Sequence, residues 1–203
     1  MNSHNNLFFL VIFILSLFLS SSVISEEVSP RGTVELLINS ISSLETGIQL
    51  SPEEIKKNDL LSYNALGRLN IREICRKALG KYWEKLSLTE QKKFIDLLSR
   101  MFIKEAFPKS GKFFSTFKLI YGQTNINELK ANVPLSVVHE KEGEINIDFH
   151  LYKYSNQWQV VDVALDGISM RNNLRSKLYK IISKNNYQEL VRRLEQKLTD
   201  IKK

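Results

Sequence analysis

Apolar side chains recur every three or four residues over the first half of the chain. Val34, Leu37, Ile38, Ile41 and Leu44 form one stripe, and Phe94, Leu97, Leu98, Met101 and Phe102 form another. Both have the spacing of amphipathic helices. Ser51-Pro52-Glu53-Glu54, Asn70-Ile71-Arg72-Glu73 and Ser87-Leu88-Thr89-Glu90 each place a capping side chain three residues ahead of a glutamate. That is the reciprocal capping box, and Pro52 and Pro30 occupy the favoured first helical position. The helix begun at Ser87 is expected to stop before Pro108, leaving Lys109-Ser110-Gly111-Lys112 as a loop.

The period then shortens to two. Phe117 to Ile126 reads as a strand with a break or bulge at Gly122. Val133, Leu135 and Val137 alternate with Pro134 and Ser136; Pro134 has no amide to donate, so this strand lies at an edge or is irregular there. After a turn at His139 to Gly143, Ile145, Ile147, Phe149 and Leu151 face one way, and Asn146, Asp148, His150 and Tyr152 the other. Trp158 to Leu165 is apolar on both faces except at Asp162, which predicts a strand covered on both sides at the centre of the sheet. Helical spacing returns with Leu174, Leu178, Ile181 and Ile182, then with Tyr187, Leu190, Val191, Leu194 and Leu198. Asn185-Asn186 stands between the two stripes, and Asn tolerates the left-handed turn that often ends a helix. Helices, antiparallel strands and helices in that order make an α+β fold, with helices packed on one face of a curved sheet.

Residues 1–25 stand apart from this fold. Leu7 to Leu15 is unbroken apolar sequence, Leu17-Phe18-Leu19 extends it, and Val23-Ile24-Ser25 has the small-x-small form of a signal-peptidase site. The segment lacks Lys and Arg, and its apolar run is shorter than the ~20 residues of a spanning helix. A cleaved signal peptide over 1–25 is expected, with an uncleaved anchor as the alternative. Residues 26–203 then form one exported domain. Of the 203 residues, 43% are apolar and 25% charged, the composition of an ordinary globular protein. The single cysteine, Cys75, excludes a disulfide framework and any multi-cysteine metal site. The net charge of +7 is carried by the segment from Ser169 onward, which holds ten basic and three acidic residues. Such a basic face suits nucleic acid, anionic headgroups or an acidic protein. Export makes nucleic acid the poorest of these, and a merely solvated face is equally consistent.

Catalytic chemistry has little to stand on. His139 and His150 lie on neighbouring strands without ligand spacing, and Cys75 falls on an apolar helix face. No nucleophile elbow, phosphate loop or dinucleotide fingerprint is present. Asp162, flanked by valines, is expected to be buried and therefore partnered. Arg175 on the following helix is the expected partner, in a structural ion pair rather than as a catalytic acid.

Longer motifs carry a resemblance. Leu79-Gly80-Lys81-Tyr82-Trp83 followed by Ser87 to Phe94 (SLTEQKKF) is similar to a helix pair of the MlaC family, also called toluene-tolerance auxiliary proteins. Trp158 to Val163 (WQVVDV), Asp166 to Met170 (DGISM) and Asn173 to Ser176 (NLRS) resemble three further motifs of that family. The match runs from about Pro52 to Leu198. Asn185-Asn186, Leu174, Arg171 and Asn70 depart from its usual residues, and Lys109 to Phe114 has no counterpart in it.

The resemblance implies a periplasmic, monomeric phospholipid carrier of nuclear-transport-factor-like or cystatin-like fold. In such a fold a twisted antiparallel sheet of four to five strands is wrapped by six to seven helices around an apolar cavity. It would serve an ABC-type lipid transport system that maintains outer-membrane lipid asymmetry. Its partners would be an inner-membrane MCE-domain ring protein and an outer-membrane lipoprotein–porin complex, with no nucleic acid, enzyme activity, metal or cofactor beyond the lipid cargo. The expected sheet-side lining is Leu135, Val137, Ile147, Phe149, Val161, Val163, Leu165 and Ile168, closed from the helices by Tyr82, Phe94, Leu98 and Phe102. A small exported enzyme on the same fold, a carrier of another lipid such as a hopanoid, and a lipid-free adaptor docking through the basic C-terminal helices remain as alternatives.

Overall fold

The computed structural model describes residues 27–47, 49–139 and 143–201; the expected signal peptide lies outside them. Helix starts follow the capping signals. Ser29 accepts from the Gly32 amide and opens α1 (Pro30–Ser42). Full capping boxes at Ser51 and Ser87 open α2 (Pro52–Gly67) and α4 (Leu88–Met101). Asn70 caps α3 (Ile71–Leu79) through the Glu73 amide. The Glu73 carboxylate turns instead to Arg76, at 2.7 and 2.8 Å, so that box is half made. A 3-10 segment (Gly80–Lys85) links α3 to α4.

The expected loop at Lys109 to Lys112 is helix. α4 continues through one π turn (Phe102–Ala106) into α5 (Phe107–Thr116). Pro108 sits in the first turn of α5, where its missing amide does least harm, and the wider π turn just ahead of it relieves the clash of its ring. Gly111 lies where α5 crosses α1: a Cβ there would overlap the Ile41 carbonyl oxygen. The glycine permits the crossing rather than breaking the helix.

Six antiparallel strands follow: β1 (Lys118–Tyr121), β2 (Asn125–Asn127), β3 (Lys130–His139), β4 (Gly143–Tyr154), β5 (Gln157–Leu165) and β6 (Ile168–Ser169). Their order is β1-β3-β4-β5-β6, with β2 also paired to β3. The sheet exceeds the expected four to five strands because Gly122 splits the first and because β6 is two residues long. β3 is interior, not an edge. Pro134 falls in the gap between the stretches of β3 paired with β1 and with β2. Its carbonyl accepts from Gly122 at 2.9 Å, and a strand residue points its N–H and C=O the same way, so the missing donor faces the gap and the ladder to β4 is intact.

β5 is likewise not at the centre, which belongs to β3 and β4, yet both its edges are bonded. β4 lies on one side; on the other are β6 and residues 68–70, through Asn70 N–H to Val160 O and Val160 N–H to Arg68 O, each 2.9 Å. A register shift puts Asp162 opposite His150 and Val160 opposite Leu151, leaving Val161 as an extra, bulged residue. The bulge reverses the parity of the strand. Trp158 and Val160 before it face the same way as Val163 and Leu165 after it, which is why the strand reads as apolar on both faces.

That inner face, with Val133, Leu135 and Val137 of β3 and Ile147, Phe149 and Leu151 of β4, packs against Val34, Leu37, Ile38 and Ile41 of α1 and Phe94 and Leu98 of α4 in one core. The opposite face keeps Asn146 and His150 exposed. Ser169 caps α6 (Met170–Lys184), and Asn186 caps α7 (Tyr187–Asp200) through the Glu189 amide. Neither Asn185 nor Asn186 is left-handed; Asn186 starts the second helix instead of ending the first. α7 packs through Val191 and Leu198 on Leu97.

Candidate functional site

Core packing is incomplete where α1, α5 and the inner sheet face converge. A cavity of about 510 Å³ remains there. Leu37 and Ile41 of α1 form one wall, and Ile145, Ile147 and Phe149 of β4 with Val163 and Leu165 of β5 form another. The third is aromatic: Phe102, Phe107, Phe113 and Phe114. The extra residue in the π turn rotates everything after it by roughly 100° relative to an unbroken α-helix. The rings brace one another, with centroids 5.6 Å apart for Phe102 and Phe107, 5.4 Å for Phe113 and Phe114, and 5.0 Å for Phe113 and Phe117. Such tilted and edge-on contacts hold rings in place without filling the space beside them. Lys109 and Ser110 are the polar lining. Lys109 bonds Glu105 at 2.8 Å, and Lys197 reaches the same carboxylate at 2.6 Å; these bonds hold Glu105 below the usual carboxylate range. Lys109 and Leu165 are exposed and mark the opening.

Of the residues expected to line such a site, Phe102, Ile147, Phe149, Val163 and Leu165 meet at the cavity. Leu135, Val137, Phe94 and Leu98 are spent on the solid core beside it. Tyr82, in the 3-10 segment, turns edge-on to Tyr179, 4.9 Å away. Val161 is displaced by the bulge toward two other hollows, and Ile168 in β6 is 63% exposed. Phe107, Phe113 and Phe114 are absent from the lining expected from the sequence, because the loop expected at Lys109 to Lys112 interrupts the helix that carries them. Read as helix, Ser110, Phe113, Phe114 and Phe117 fall at i, i+3, i+4 and i+7.

Asp162 is buried, but its partner is Arg171, not Arg175. It accepts from Ser169 Oγ at 2.6 Å, from the Val163 and Arg171 amides at 2.9 and 3.0 Å, and lies 3.4 Å from the Arg171 guanidinium. The turn after β5 is so short that α6 begins beside Asp162, which places Arg171 in its first turn. Arg175, one turn on, bonds the Tyr179 hydroxyl at 3.2 Å. Asp162 thus ties β5, β6 and α6 together. Burial pushes the Cys75 thiol up to about 12, so it is neutral and unreactive near pH 7. Among the described residues there is no group of three His, Cys, Asp or Glu placed to hold a metal, and no helix long and apolar enough to cross a membrane.

Known proteins are similar in family and in fold. The family described as MlaC protein matches residues 36–196. Among solved structures, a phospholipid-binding protein from Ralstonia solanacearum, determined in complex with a phospholipid, superposes with a TM-score of 0.69. The match has 16% identity and covers 88% of this chain and 100% of that one; at this identity the likeness is one of fold. No curated protein matches the chain. With the family match spanning all seven helices and the whole sheet, except for the ends of α1 and α7, the chain belongs to the MlaC family.

Proposed function

We propose that the protein is a periplasmic phospholipid carrier, the soluble component of an ABC-type lipid transport system. It would exchange cargo with an MCE-domain ring at the inner membrane and a lipoprotein–porin complex at the outer. The observation that carries this reading is the apolar cavity, braced by aromatic rings, in a chain of this family.

Exposing acyl chains to water costs about 0.8 kcal/mol per methylene, so two tails of roughly fifteen methylenes approach 25 kcal/mol. That excludes free diffusion and requires a sheath. With a methylene taken as about the size of a water molecule, roughly 30 Å³, one tail needs about 450 Å³. The cavity of about 510 Å³ therefore houses one tail as it stands, and a second requires α1 and α5 to part. The mature chain, stripped of lipid and mixed with vesicles carrying radiolabelled phospholipid, is expected to leave with about one equivalent of label. Label remaining entirely with the vesicles contradicts the proposal.

A further inference from the structure

A second, larger hollow lies away from the cavity. A groove of about 850 Å³ runs between α3, the start of α6 and strands β3 to β5. Its charged lining is Arg76 and Lys77 of α3, Lys130 of β3 and Arg171 of α6, set against Glu73 and Asp162. The carboxylates are already committed. Glu73 is held by both nitrogens of the Arg76 fork, and Asp162 by the Ser169 hydroxyl and two backbone amides. Lys77 and Lys130 are exposed and form no ion pair among the described residues. The Arg171 guanidinium lies 3.4 Å from Asp162 and donates to the Val161 carbonyl at 3.3 Å, both long contacts. Asp162 keeps three other donors if the guanidinium swings away. The groove thus carries two surplus positive charges, matching an anion of one or two charges.

The groove neighbours the apolar cavity, with one small pocket walled by residues of both. A small apolar pocket of about 120 Å³ shares Leu69, Phe102, Val163 and Met170 with the cavity. The same pocket shares Val161, Asp162 and Arg171 with the groove.

We propose that the groove is a phosphate-class anion site, with Lys77, Lys130 and Arg171 as its binding groups. It is placed so that a lipid tail reaching the cavity through the small pocket leaves its phosphate there. The lipid source of that phosphate rests on the carrier reading; the anion site does not.

The test titrates the stripped, isotope-labelled mature chain with inorganic phosphate and follows amide NMR shifts. Saturable shifts at Lys77, Lys130 and Arg171 are expected. A K77E/K130E double variant, altered only at exposed positions, should weaken them about tenfold or more. The second arm loads the chain from phosphatidylglycerol vesicles before the titration. If loading itself shifts these amides and inorganic phosphate no longer does, the headgroup is the occupant; if loaded protein still takes inorganic phosphate, the site serves the free anion. Absence of shifts at these amides in both arms, or identical titrations for the variant and the wild-type chain, overturns the proposal. A chain that fails to load lipid overturns the carrier reading, while the phosphate titration still decides the groove.

Discussion

Val163 and Ile168 are apolar residues five positions apart near the end of the sheet, and only Val163 meets the cavity. The bulge turns Val163 inward opposite Phe149, while Ile168 pairs with Leu165 on the short edge strand and stays 63% exposed. Spacing alone does not separate them, because a bulge in the strand is invisible in the apolar pattern. Val163→Trp, which fills the hollow, is expected to cut vesicle-lipid uptake about tenfold or more, whereas Ile168→Asp leaves it within about twofold. Equal loss in both variants, measured by labelled-lipid uptake, would contradict the assignment. Asp162 offers a second contrast. Removing it strands the Ser169 hydroxyl and two amides, so Asp162→Ala should lower stability by about 2–4 kcal/mol in urea unfolding. Arg175→Ala, which loses an exposed contact with Tyr179, should cost less than about 1 kcal/mol.

At the scale of elements, the capping residues and strand alternation were legible because each acts within four residues of itself. Ser51 and Ser87 build the boxes their spacing promises, and Ile147, Phe149 and Leu151 turn inward together. What escaped was set by distant partners. Pro108, Ser110 and Gly111 carry the local signature of a loop, yet they lie in α5, where α1 passes so close that only glycine fits at Gly111. With that helix went the aromatic wall of the site. Gly111→Ala is therefore expected to destabilise, against the usual gain of alanine over glycine in a helix, by about 2 kcal/mol or more. Thermal unfolding would show this as a fall of several degrees in Tm; an unchanged or raised Tm would mean that the two helices do not press together there.

For the whole molecule, the order helix–sheet–helix follows from where the apolar period changes, and it survives the errors in individual segments because every element needs only its own stripe to be buried. The basic excess, assigned in sequence to the C-terminal helices as a block, divides in the structure. Arg192 and Arg193 are paired to Glu189, and Lys197 to Glu105. Arg171 joins Lys77 and Lys130, far from it in sequence, around the groove. An apolar hollow bounded by mutually braced rings is the feature that unites the fold and the family. Native mass spectrometry of the protein purified from the cells that make it tests its purpose most directly. Lipid carriage predicts a complex heavier than the bare chain by one phospholipid, lost in Val163→Trp. Bare chain alone, with and without prior exposure to phospholipid vesicles, would contradict it.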